Sequence, residues 1–185
     1  MKKCRWIVML TLVLALSVVA PALAKQGDKT LDASIDLATA PVSGFDSTLG
    51  FTVGFGYELE QELQLRGDIS YYSYDQDFFG DSLTYTRVPV AASVRKYFPL
   101  NPQKNVNLFV QGGLELSFDE AETSVNLGFP FGTVKASGSE VNLGLVGGGG
   151  VEFALSREFG LGGIAKYHVI SNDYLTLGLY GAYHF

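Results

Sequence analysis

Apolar and polar residues alternate along this chain with a period of two, segment after segment. The clearest case is "YLTLGLYGAYHF", 174–185: Leu175, Leu177, Leu179, Gly181, Tyr183 and Phe185 share one face, and Thr176, Gly178, Tyr180, Ala182 and His184 share the other. Successive strand side chains point to opposite faces, so this pattern predicts a strand. The same alternation recurs at about 29–38, 48–58, 62–74, 83–97, 105–118, 139–154 and 158–170. In the first of these, Leu31, Ala33, Ile35 and Leu37 oppose Asp32, Ser34 and Asp36. In the third, Leu63, Leu65, Ile69 and Tyr71 oppose Gln64, Arg66, Asp68, Ser70 and Tyr72. Beyond the first 24 residues no apolar run has helical spacing. Eight alternating segments without a helix predict an all-β fold, an eight-stranded antiparallel up-and-down transmembrane β-barrel. Pro89 has no N–H to give to a ladder, so a bulge or weak pairing is expected there.

The two faces differ in kind. The apolar face is continuous over all eight segments and nearly free of charge, an aggregation hazard in water but what hydrocarbon requires. Lys96 is its exception, at a strand end where the stem can snorkel. The other face is rich in glycine and carries few charges. Arg66, Arg95 and Lys166 there are balanced by Asp68, Glu115 and Glu152. That mix predicts a narrow interior closed by a paired polar network, since eight strands leave room for side chains only. Lipid cannot satisfy an open strand edge, so the first strand must pair with the last. Aromatic girdles are expected at the rims: Tyr57, Tyr97, Phe98, Phe153, Phe159, Tyr183 and Phe185 at one, and Tyr71, Tyr74, Tyr85, Phe118, Tyr167 and Tyr174 at the other. Short turns fall at 59–61, 99–104 and 155–157, and outward loops at 39–47, 75–82, 119–138 and 171–173.

The first residues do not fit the alternation. Lys2, Lys3 and Arg5 precede an apolar run from Trp6 to Ala20, and Ala22-Leu23-Ala24 follows. This predicts a cleaved secretory signal peptide over 1–24 and one barrel domain over 25–185. The single cysteine, Cys4, lies within the signal, so the remainder has neither disulfide nor thiol chemistry. Removing the three basic signal residues leaves ten Lys and Arg against nineteen Asp and Glu, a net charge near −9. Nucleic acid, which wants a basic face, is not an expected partner.

The signal, the period-two segments, "TRVPVAASVRKYFPL" at 86–100 and the Phe-terminated last strand together resemble the small outer-membrane β-barrel family of OmpA-type, OmpX-type and opacity proteins. The resemblance implies residence in the outer membrane of a Gram-negative-type bacterium, in contact with its lipid and lipopolysaccharide. It also implies delivery by periplasmic chaperones and the barrel-assembly machinery. In that family the machinery reads a terminal aromatic with apolar residues at alternate preceding positions. Leu177, Leu179, Tyr183 and Phe185 match this insertion signal, and Gly181 is a weak position within it.

Candidate chemistry is sparse. "VGGGG", 146–150, would need a following helix to cradle phosphate, but Val151 and Phe153 continue the strand register, which predicts small residues that make room inside a barrel. In "HVISN", His168 and Ser171 stand three apart, on opposite faces of a regular strand. The lipid A deacylase pattern needs them two apart, where base and nucleophile touch. No catalytic residue, cofactor or metal is expected. Specific contacts would come from the outward loops. Phe78 and Phe79 lie in "DQDFFGD", and Phe129 and Phe131 in "DEAETSVNLGFPFGTVKASG", 119–138, which also holds Asp119, Glu120 and Glu122. The halves of that connection either extend the fifth and sixth strands into a protruding hairpin or form a flexible loop. The reading is a monomeric structural or surface-interaction barrel, adhesion-like in role. The alternatives are a narrow channel for small solutes and a lipid A deacylase-type hydrolase.

Overall fold

The computed structural model describes residues 27–40, 45–60, 62–78, 81–103, 105–126 and 133–185. The proposed signal peptide lies outside them. Eight strands occupy most of that length: β1 (Lys29–Ala38), β2 (Thr48–Glu60), β3 (Leu63–Phe78), β4 (Asp81–Pro99), β5 (Val106–Asn126), β6 (Thr133–Ala154), β7 (Phe159–Val169) and β8 (Tyr174–His184). Each pairs antiparallel with the next, and β1 pairs with β8, so the sheet closes on itself. The seam is tied at its end by reciprocal backbone bonds, Lys29 N–H to Phe185 C=O and Phe185 N–H to Lys29 C=O, both 2.8 Å. No helix occurs among the described residues.

The alternation decides which side chains go inward. Along β8, burial follows sequence polarity residue by residue, with Leu177 and Leu179 exposed and Thr176 and Tyr180 buried. The same inversion runs round the barrel: Asp32, Arg66, Arg95, Glu115 and Lys166 are buried, whereas Ile35, Leu49, Leu143 and Leu179 stand out with 68–75 % of their surface exposed. An exterior this apolar belongs in lipid.

Glycine makes the interior possible where two side chains approach a backbone. A Cβ on Gly54 would strike Arg66 and Asp68, and one on Gly162 would strike the Tyr180 ring. The run Gly147 to Gly150 lies inside β6, which passes straight through it. Around Pro89 the β3–β4 pairing lapses between Ile69↔Val90 and Tyr72↔Arg87 without a change of register. The expected weak point is therefore a gap in one ladder, while β4 stays paired with β5 at Pro89↔Ser117.

The strands are longer at one end than the sequence pattern predicts. β3 runs to Phe78 and β4 starts at Asp81, so most of the expected 75–82 loop is strand. β5 and β6 remain paired out to Asn126↔Thr133, so the two arms of the 119–138 connection, 119–126 and 133–138, extend the fifth and sixth strands as a protruding hairpin's arms. Polar residues there alternate with other polar residues, leaving no hydrophobic period to read. The opposite end has tight turns; between β2 and β3 Glu62 takes a left-handed φ of 72°, and its carboxylate lies 3.6 Å from Lys96 Nζ.

Candidate functional site

The lumen is filled in three tiers. At the turn end Tyr97, Phe109, Ile164, Tyr180 and Ala182 form an apolar plug. Phe109 meets Tyr97 and Tyr180 edge-on, with centroids 5.7 and 6.2 Å apart, and the Arg95 guanidinium sits 4.0 Å over its ring. Both tyrosine hydroxyls donate to Glu152, at 3.4 Å from Tyr97 and 2.8 Å from Tyr180. His184 approaches the other Glu152 oxygen at 3.4 Å.

The middle tier is charged. Arg66 donates to Asp32 at 2.6 Å, to Asp68 at 3.0 Å and to the Gln64 amide oxygen at 3.1 Å. Lys166 Nζ stands 4.0 Å from Asp68. Asp36 accepts from Ser34 at 2.8 Å, from Tyr72 at 3.2 Å and from Thr52. Arg95 donates twice to the Gln111 amide oxygen, at 3.1 and 2.8 Å.

The third tier closes the loop end. Ala38, Tyr72, Tyr74, Ile170 and Tyr174 form a second plug, with Phe45 and Tyr85 packed against it. The His168 ring stacks on Tyr174 at 4.1 Å and donates through Nδ1 to Glu115 at 2.5 Å, while Tyr174 donates to the other Glu115 oxygen at 3.2 Å. Arg87, fully buried, holds Asp119 with two bonds of 3.0 and 2.8 Å and reaches the Asn172 carbonyl at 3.0 Å. It thereby ties β4, β5 and the β7–β8 connection together.

The six predicted network residues are all buried in the lumen, but their pairing differs from expectation. Glu115 and Glu152 do not bond an arginine or lysine; imidazole and phenol groups take those roles. Arg95 is held by an amide and an aromatic face. The carboxylates that do meet Arg66 are Asp32 and Asp68. The Arg87–Asp119 pair went unseen because the fifth strand was expected to stop at 118. That also corrects Asp119, which is an interior residue and not part of an acidic loop tip. Tyr74, Tyr85, Tyr97 and Tyr174 are corrected likewise: they pack into the plugs, not into a lipid-facing girdle. A tyrosine suits either place, because its ring is apolar and its hydroxyl needs a partner.

His168 and Ser171 are engaged apart from each other. The imidazole lies between Glu115 and the Thr176 hydroxyl, 3.3 Å away, and Ser171 donates to the Asn142 amide oxygen at 2.7 Å. Leu177, Leu179 and Tyr183 face outward on β8, and Phe185, just past its end, is exposed as well.

Outside the barrel a second feature stands up. β2–β3 pairing ends at Phe51↔Tyr71 and β6–β7 pairing at Leu145↔Val169. β3, β4, β5 and β6 continue beyond those levels as a four-stranded sheet. Phe78 is placed at the tip of β3; Phe79, Phe129 and Phe131 lie outside the described residues.

Several known proteins match this arrangement. A family model described as outer membrane protein beta-barrel domain matches residues 10–184. The attachment invasion locus protein Ail of Yersinia pestis is 18% identical, with a TM-score of 0.62 over 86% of this chain and 99% of that one. A second Ail structure, in complex with the heparin analogue sucrose octasulfate, superposes with a TM-score of 0.63. Neisserial surface protein A is also 18% identical, with a TM-score of 0.56 over 86% of this chain and 97% of that one. A major outer membrane protein of Thermus thermophilus is 14% identical, with a TM-score of 0.61 over 86% of this chain and 99% of that one. No curated protein sequence matches the chain.

Proposed function

Because this chain belongs to the outer membrane protein beta-barrel family, we propose that it is a surface-interaction protein, a sealed barrel whose working part is the four-stranded sheet held outside the membrane. The observation that carries this reading is the unequal strand length. Lipid needs only about ten residues of tilted strand, whereas β5 and β6 have 21 and 22. The surplus is paired strand, a rigid platform suited to binding.

The other readings fit less well. Two aromatic plugs bracket a charged tier, so a solute path would have to displace packed rings as well as salt bridges. Planar bilayers containing the folded protein are therefore expected to show no stable unitary conductance; regular steps would favour the channel. A hydrolase would need His168 to reach a hydroxyl open to lipid, and its described partners are buried. The protein is read as a monomer without cofactor, in contact with lipid and lipopolysaccharide along its apolar belt. Leu177, Leu179, Tyr183 and Phe185 serve assembly: Phe185→Ala is expected to reduce the heat-modifiable, assembled form on gels, with unassembled chain accumulating in the periplasm.

The test of the surface reading is a hairpin trimmed to the barrel rim, with 121–138 replaced by an Asn-Gly turn. Expressing cells should keep the heat-modifiable band and lose attachment to protein-coated surfaces and to one another. Attachment equal to that of the full chain would sink the reading. Polyanions are not the expected ligand here, although Ail was crystallised with one, because Asp75, Glu122 and Glu140 are exposed on the sheet.

A further inference from the structure

The turn end of the seam carries one of the chain's two histidines. His184 is the last residue of β8, at the rim, with 25% of its side chain exposed. Its ring joins three strands. Nε2 stands 3.4 Å from a Glu152 carboxylate oxygen on β6, and Nδ1 stands 3.1 Å from the Thr30 hydroxyl on β1. Thr30 already accepts the Gln64 amide N–H at 3.0 Å. Its hydroxyl is therefore able to donate to a bare Nδ1 or to accept from a protonated one, so imidazole and imidazolium both fit the site.

The surrounding charges favour imidazolium. Among the described residues, Glu152 on β6, Glu58 on β2 and Asp28 just before β1 are close enough to act on the ring. On the β7 side Glu158 accepts the His184 backbone N–H at 2.7 Å through its carbonyl, and its side chain is exposed. The cations of the neighbourhood are turned elsewhere. Arg95 is bonded to Gln111 and Tyr97, and Lys29 alternates with inward Thr30 on β1. The hydrogen bond to Glu152 raises the imidazole pKa above its ordinary value, burial lowers it, and the charges of Glu152, Glu58 and Asp28 complete a net rise.

We propose that His184 is a proton-operated clasp on the barrel seam. Protonated, it draws the end of β8 onto Glu152 and onto the acidic neighbours at the start of β1 and the end of β2; without its proton, the last residues of the seam open more readily. A group whose pKa is higher in the folded state adds stability that is complete below its unfolded value, about 6.5. That stability is lost as the pH climbs through the raised value. Strand ends are where so small a contribution tells, because they open locally at little cost. Acid thus tightens this end of the barrel, opposite the end that carries the protruding sheet.

The test is hydrogen exchange by nuclear magnetic resonance on the full chain in phospholipid nanodiscs, with titration of the ring itself. Three amides report the clasp: Lys29 and Phe185, bonded across the seam, and His184, bonded to Glu158. Their protection, corrected for intrinsic exchange, is expected to fall by about threefold or more between about pH 5.5 and about pH 8.5. The His184 ring should titrate above about 6.5, at the centre of that fall. His184→Gln keeps a hydrogen-bonding side chain but no titrating one, and its protection should be flat over the range. Asp28→Asn with Glu58→Gln leaves the ring and Glu152 in place and should lower the ring's midpoint. That pair decides the matter if His184→Gln fails to assemble. His168→Gln removes the other histidine and should leave the pH response of the three amides as it is. Protection that is flat or rises with pH in the unmodified chain, or the same fall in His184→Gln, would overturn the inference. So would a ring midpoint at or below about 6.5, a midpoint unmoved in the double carboxylate variant, or a response lost in His168→Gln.

Discussion

Replacing Arg66 with Met lowers the unfolding free energy of the barrel by about 3–5 kcal/mol, the cost of stranding buried charge. Arg66 is 3% exposed and holds two carboxylates, Asp32 at 2.6 Å and Asp68 at 3.0 Å. Without the guanidinium those carboxylates keep only more distant cations, Lys166 at 4.0 Å from Asp68 and Arg95 beyond it. Both must then find water in a lumen plugged at each end or bind protons. The single tryptophan, Trp6, falls in the proposed signal peptide, so urea unfolding from lipid vesicles is followed by far-ultraviolet circular dichroism. A loss below about 1 kcal/mol, the scale of a solvent-exposed pair, would show that water reaches the middle tier. The double variant Asp32→Asn, Arg66→Met should recover part of the loss, since Asp68 then keeps Lys166 as its partner and no second carboxylate is stranded.

The second large effect lies on the opposite face of the sheet. Leu179→Arg should destabilise the folded protein by about 2–4 kcal/mol, the cost of a basic residue at the bilayer midplane. Leu179 is 75% exposed and sits at the middle of β8. In a water-soluble barrel the same substitution at so exposed a site would be nearly neutral. The experiment therefore reads the medium directly, through the same unfolding curves in vesicles. Arginine at Phe159, 53% exposed at the turn-end rim, should cost about 0–1 kcal/mol, because charge is tolerated near the interface. Equal costs at the two depths would contradict a membrane span.

The barrel was legible in the sequence because a membrane strand must alternate strictly: one misplaced polar residue faces hydrocarbon. β1, β7 and β8, which barely leave the membrane, were accordingly bounded to within a residue or so. β5 and β6 were under-read by eight and six residues at their outer ends, since "EAETSVN" and "TVKASGS" set polar and small residues beside one another and have no hydrophobic period to show. Inside the barrel, sequence named the inward residues but not their partners. Partners are set by the shear of the closed sheet, which brings Glu115 of β5 to His168 of β7 across a strand that lies between them. Tyrosine was the least legible type. Alternation sorted Tyr71 from Tyr72 correctly, but Tyr74, Tyr97 and Tyr174, expected in the rim girdles, are buried in the plugs.

The outer rim is a slope and not a level ring. On the side of β1, β2, β7 and β8 the strands end where the barrel does, while β5 runs on for eight residues past Phe118. At roughly 3.3 Å per residue and a tilt of about 40°, that is about 20 Å of added height. A large body nearing the cell, such as an antibody or a phage tail, meets the tall side first. The low side stays shaded behind it. Immune pressure would then fall on 119–140 and spare the seam, so variation among strains should concentrate on one flank of the barrel mouth.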